Sequence, residues 1–223
     1  MTDKVQREEV EKWVELLRSS VATERLKGAQ ELASLGVRTR GAVRTRGTIS
    51  RPAPSRIPEG VDFSAVMEAF EDQHFEVRRE VAFALGEWAD EAVVTILSEI
   101  AETDPEPVVR KEAVNALGKI GGSEAVKTLT KLAKTASNEA VRWQAISALG
   151  ELVLAEAERL QVERGERPGP VRTRGIRGAI SSLPEVSEEA KKVLRLLEEI
   201  SQEDPSTYVR DLTHDLVEEQ ESK

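Results

Sequence analysis

Val77-Arg78, Val109-Arg110 and Val141-Arg142 recur 32 residues apart, and seven residues after each arginine comes Leu-Gly: Leu85-Gly86, Leu117-Gly118 and Leu149-Gly150. A fixed period of roughly 20 to 50 residues marks a chain built from stacked copies of one supersecondary unit, each unable to bury its apolar face alone. A fourth pair, Val209-Arg210, lies 68 residues beyond the third, and an early Leu35-Gly36 lies 50 residues before Leu85-Gly86. The surplus length falls in two arginine-rich segments between repeats.

Within one period, Glu91 to Ala101 reads as an amphipathic helix, Asp104-Pro105 as a cap with a first-turn proline, and Val108 to Ile120 as a second helix closed by Gly121-Gly122. At about 100° per residue, Val109, Ala113, Val114, Ala116 and Leu117 fall on one stripe, which the second helix must bury. Each period is therefore a helical hairpin. Five are expected, over 3 to 36, 61 to 89, 90 to 121, 122 to 162 and 185 to 222. They predict an all-α chain: a single right-handed α-solenoid domain over residues 1 to 223, with insertions at 37 to 60 and 163 to 184 leaving from one edge.

The pattern Asp-Pro, Val-Arg, Ala, Leu-Gly resembles HEAT repeats, and more closely the short HEAT-like subtype found in phycobilisome lyases. It is fullest at Asp104-Pro105, Val109-Arg110, Ala113, Ala116 and Leu117-Gly118, and partial at Asp204-Pro205 and Val209-Arg210. The resemblance implies a ladder in which Asp72, Asp104 and Asp204 tie neighbouring hairpins to Arg78, Arg110, Arg142 and Arg210. Ala136 stands where the fourth hairpin should carry its aspartate. The first hairpin departs in register and the last lacks Leu-Gly, as terminal repeats with one face in water do. The family also implies that second helices line a concave side.

Charge is unevenly spread along the chain. Residues 37 to 56 carry +6 and residues 163 to 182 carry +3, so a total of −9 leaves −18 on the rest. Without cysteine, the chain has no disulfide, thiolate metal site or thiol nucleophile. The start, Met-Thr-Asp-Lys-Val-Gln-Arg, has no apolar signal core, and no apolar run approaches the ~18 residues of a membrane span. A cytoplasmic protein without membrane contact is expected.

Val-Arg-Thr-Arg-Gly occurs three times, at Val37 to Gly41, Val43 to Gly47 and Val171 to Gly175. Alternating β-branched and arginine side chains fit a strand with one arginine face, so each segment reads as a short β-hairpin. It reads equally as a disordered arm, given Arg51-Pro52-Ala53-Pro54 and Pro168-Gly169-Pro170. The candidate contact residues are Arg38, Arg40, Arg44, Arg46, Arg51 and Arg56 of the first segment with Arg172, Arg174 and Arg177 of the second. Their guanidinium forks suit phosphates or carboxylates. Three ligands fit: nucleic acid, an acidic partner protein, or the chain's own acids such as Glu87 and Glu151. The acidic body disfavours broad nucleic-acid binding.

Phe83, Lys111 and Trp143 phase roughly opposite the buried stripe and should be exposed, on the side the family makes concave. An aromatic there anchors a partner, or is covered by the arginine arms through cation-π contact. Trp88 and Trp13 phase toward the core. Catalysis has little support: His74 and His214 are the only histidines and neither sits in a metal-binding motif, no Gly-x-Ser-x-Gly or Walker loop is present, and Glu188-Glu189 and Glu198-Glu199 read as solvated faces. The His-Glu motifs of the repeat-built deoxyhypusine hydroxylases are also missing. The expectation is a nonenzymatic scaffold, without cofactor or metal, that binds an acidic protein surface or a ribonucleoprotein. A nucleic-acid-binding protein is the alternative, and a lyase-like accessory subunit the third reading. Nothing in the sequence fixes the oligomeric state.

Overall fold

Helix α6 (Pro107–Ile120) shows how one repeat folds. Pro107, with its φ already fixed near the helical value and no N–H to satisfy, occupies the first turn after an extended Glu106. Val109, Ala113, Val114, Ala116 and Leu117 are fully buried, the stripe expected from the sequence. At the far end Gly121 takes φ +74° and its N–H closes on Leu117 O at 2.8 Å, a conformation that favours glycine. One expectation is corrected. Asp104 closes the preceding helix, its N–H bonded to Ile100 O, and the first-turn proline is Pro107 rather than Pro105.

The computed structural model describes residues 2–39, 64–88, 91–165 and 186–217, and all regular structure among them is helical. Five hairpins result: α1 (Thr2–Leu17) with α2 (Ala22–Thr39), α3 (Ser64–Glu68, extended by a 3₁₀ turn Ala69–Glu71) with α4 (Phe75–Trp88), and α5 (Val94–Thr103, preceded by a 3₁₀ turn Glu91–Val93) with α6. They continue as α7 (Gly122–Thr135) with α8 (Glu139–Glu163), and α9 (Glu188–Glu203) with α10 (Thr207–Val217). The expected insertions and their β-hairpins lie outside the described residues, except that α2 runs on through Arg38 to Thr39, and α8 to Glu163 with a turn at Arg164 and Gly165.

The described residues form two compact units, divided at Ala125/Val126 within α7. In the first, the second helices α2, α4 and α6 pack side by side, with α1 against α2 and α5 against α6. Close approach is built into the sequence: a Cβ placed on Gly86 would lie 2.8 Å from Ala116 Cβ, and one on Gly36 2.9 Å from Glu87 Cβ. Trp88 is 1% exposed and donates its indole N–H to Leu32 O at 3.1 Å, tying α4 to α2. In the second unit α8 packs on α9 and α10. Asn138 caps α8 by accepting from Ala140 N and Val141 N, and Ser187 caps α9 while its own N–H and hydroxyl bond the Glu156 carboxylate of α8 at 2.7 and 3.0 Å. Val193, Leu197 and Ile200 of α9 and Val209 and Val217 of α10 are buried. Each such side chain contributes about 1.5 to 3 kcal/mol when fully removed from water.

Candidate functional site

The loops that join the two helices of each hairpin carry a ladder of arginines and aspartates. Arg78 donates Nε and Nη2 to the Asp104 carboxylate of the next hairpin, at 2.7 and 3.0 Å, and Nη1 to Asp72 O of its own turn at 2.7 Å. Arg142 repeats the arrangement with Asp204, at 2.9 and 2.9 Å, and with Ala136 O at 3.0 Å. The acceptors serve twice: Asp72, Asp104 and Asp204 each also accept from the backbone N–H two residues on, at His74, Glu106 and Ser206, all at 2.8 Å. One carboxylate thus shapes its own turn and receives the arginine of the hairpin before it. Arg110 and Arg210 keep the inner half of the pattern, donating to Asp104 O and Asp204 O.

Sequence reasoning missed the first rung. Arg25 of α2 forks onto Asp72 and donates to Ser19 O at 2.9 Å. No Val-Arg or Asp-Pro marks it. Its signal is spacing, because in every hairpin the arginine binds the carbonyl six residues upstream. In the fourth hairpin, where Ala136 replaces aspartate, Asn138 takes over the cap.

The Arg25–Asp72 and Arg142–Asp204 pairs favour the charged forms of both partners. Burial pushes the Asp72 carboxyl up, but the Arg25 fork and the His74 N–H outweigh it and hold it below its ordinary value; Arg142 and the Ser206 N–H do the same for Asp204. Hydrogen bonds to the aspartates, against the opposing effect of burial, raise Arg25, Arg78 and Arg142 further.

Phe83, Lys111 and Trp143, expected to be exposed, are each half-buried. Phe83 is covered by a cation from the adjoining helix: Lys119 Nζ stands 4.6 Å from the ring centroid and bonds Glu87 Oε1 at 2.5 Å. Glu87, read as an acid available to the arginine arms, is 7% exposed. Around it Glu112, Asn115 and Lys119 are half-buried too, with Asn115 Nδ2 donating to Glu112 Oε1 at 3.1 Å. Phe83 and Lys111 belong to the first compact unit and Trp143 to the second. Trp13 is half-buried, with Lys12 Nζ 4.5 Å from its ring.

Of the candidate arginines, Arg38 sits in the last turn of α2; Arg40, Arg44, Arg46, Arg51, Arg56, Arg172, Arg174 and Arg177 lie outside the described residues. His74, His214, Glu188 and Glu189 are exposed, while Glu198 is half-buried. Among the described residues no helix is long and apolar enough to cross a membrane.

The chain is similar to solved structures of engineered and designed proteins. One engineered protein is 20% identical over 93% of this chain and 94% of its own, with a TM-score of 0.43. A designed armadillo repeat protein is 18% identical over 94% and 98%, with a TM-score of 0.45. A second engineered protein is 20% identical over 93% and 96%, with a TM-score of 0.47. No curated protein matches. The family model for HEAT repeats matches residues 63–150, which hold all three complete Val-Arg and Leu-Gly copies. That stretch, from the start of α3 to the Leu149-Gly150 of α8, is similar to HEAT repeats in sequence.

Proposed function

We propose that this HEAT-repeat scaffold is a nonenzymatic adaptor of the cytoplasm. It holds an acidic protein surface, free or within a ribonucleoprotein, through the arginines of its two inter-repeat segments and through Phe83, Lys111 and Trp143 on its second helices. The observation that carries this reading is the ordered second-helix surface of the first unit, where Phe83 lies under Lys119 and Lys119 is held by Glu87. Side chains fixed before a partner arrives lose little freedom on binding, and a half-buried aromatic is the residue type that anchors interfaces. The arginine segments supply the charge: +6 and +3 on a chain that is otherwise −18.

The test replaces Arg38, Arg40, Arg44 and Arg46 with Gln and measures capture of a labelled poly-glutamate probe. Capture is expected to vanish while helicity and cooperative melting stay unchanged. Unchanged capture removes the segments from the mechanism. Capture of RNA in place of poly-glutamate, lost in the same variant, would instead support nucleic-acid binding through Val-Arg-Thr-Arg-Gly.

A further inference from the structure

We infer that Arg110 binds a carboxylate of the partner, an aspartate at the entry to one of the partner's helices. This rests on the reading of the chain as a scaffold for an acidic protein surface, and names one side chain that meets that surface. All five ladder arginines anchor themselves alike, each donating Nη1 to the carbonyl six residues upstream; for Arg110 this is Asp104 O at 2.5 Å. Arg110 Nη1 also reaches Pro105 O at 3.2 Å. Arg25, Arg78 and Arg142 then give Nε and Nη2 to one aspartate carboxylate. Among the described residues, Nε and Nη2 of Arg110 have no hydrogen-bond acceptor. The repeat supplies none, because Ala136 stands in the aspartate position of the fourth hairpin.

An arginine held at one nitrogen presents two parallel N–H donors, a fork that matches a carboxylate. The filled rungs show which carboxylate it takes in this fold. Asp72, Asp104 and Asp204 each stand just before a helix, held by the N–H two residues on. A carboxylate already fixed in its own turn loses little freedom on pairing. Arg210 ends the described ladder with the same open half, but its surroundings differ. Exposed Asp211 and Asp215 follow it on α10, where the matching positions of α6 hold Lys111 and Asn115. An incoming carboxylate is therefore repelled beside Arg210 and attracted beside Arg110. Arg110 itself is half-buried, and Val108, two residues before it, is 45% exposed, so a partner reaching the fork also has an apolar side chain to cover.

The test uses the full chain with isotope-labelled arginine and reads the Nε–H signals by NMR. In the free protein the Arg25, Arg78 and Arg142 signals should exchange slowly with solvent and the Arg110 signal fast. A slow Arg110 signal would mean that its fork is already filled, and would overturn the assignment. The probe is an acetylated helical peptide of about 14 residues that opens on Asp-Pro, and the comparison is the same peptide with Asn in place of Asp. The Asp peptide should shift the Arg110 signal and slow its exchange, and the Asn peptide should do neither. Arg110→Lys, which keeps the charge and loses the fork, should weaken binding of the Asp peptide by about tenfold, with helicity and melting retained. The variant with Gln at Arg38, Arg40, Arg44 and Arg46 should bind the peptide as the parent does, so failure of this contact and failure of poly-glutamate capture are told apart. No Arg110 shift, equal shifts from the two peptides, indifference to Arg110→Lys, or a stronger response to single-stranded RNA than to the Asp peptide would each overturn the assignment.

Discussion

Arg78 and Asp104 are 26 residues apart in sequence and meet through two hydrogen bonds, from Nε at 2.7 Å and from Nη2 at 3.0 Å, with both side chains more than nine-tenths buried. The pair joins α4 to the turn between α5 and α6. Breaking a buried pair by removing one partner costs about 3 to 5 kcal/mol, because the other charge is left without compensation. Asp104→Ala should therefore lower the unfolding free energy by about that amount in urea titration, and Arg78→Lys, which loses the planar fork, by a smaller one. A change below about 1 kcal/mol for Asp104→Ala would show that the rung ties nothing.

The ladder should also contribute to the loss of stability in acid. Asp72 and Asp204 are held below the ordinary carboxylate value of 3.8, so the unfolded chain binds more protons than the folded one as pH falls past that value. Their contribution is complete above 3.8 and is lost as pH drops through their lowered folded values. Stability measured against pH should fall steeply below 3.8, and Asp72→Asn with Asp204→Asn should flatten that fall. An unchanged acid limb would place the sensitivity elsewhere.

Gly86 keeps α4 against α6. A methyl there would sit 2.8 Å from Ala116 Cβ and 2.9 Å from Ala116 Cα, so one helix must move. Gly→Ala inside a helix ordinarily gains about 1 kcal/mol. Here overpacking, at about 1 to 3 kcal/mol, should win, and Gly86→Ala should melt at a lower temperature than the parent. A higher melting temperature would mean that the two helices have room to spare.

Phe83 and Lys119 should be energetically coupled. A double-mutant cycle with Phe83→Leu and Lys119→Met is expected to give about 0.5 to 1 kcal/mol of interaction for a partly exposed cation-π contact. Additive effects would show that the ring is covered without being stabilised.

The fold was legible where the repeat was strict. Val77-Arg78, Val109-Arg110 and Val141-Arg142 locate α4, α6 and α8, and the stripe from Val109 to Leu117 is buried as its phase requires. Arg25 escaped because a terminal hairpin keeps the arginine's geometry without the valine or the Asp-Pro that flag it elsewhere. The surface was harder to read. Phasing one helix makes Phe83 look exposed, but Lys119, which covers it, comes from the next repeat. Its signal was in the period all the same: Glu87 and Lys119 lie 32 residues apart, so one repeat position carries opposite charges in successive hairpins and pairs them at 2.5 Å. Asp104 was misplaced as a cap because Asp-Pro fits both the end of one helix and the start of the next. The candidate site itself is only partly covered, since eight of its nine arginines lie outside the described residues.

The most direct measurement for a scaffold that takes an acidic protein surface is binding of the purified chain to labelled poly-glutamate, RNA and duplex DNA across a salt series that starts near physiological ionic strength. Poly-glutamate should bind and both nucleic acids should not, with the poly-glutamate signal lost when Arg38, Arg40, Arg44 and Arg46 are changed to Gln. RNA or DNA binding that falls with salt at a log-log slope of about −0.7 or −0.9 per phosphate contact, and disappears in that variant, would contradict it and make the arginine segments a nucleic-acid site.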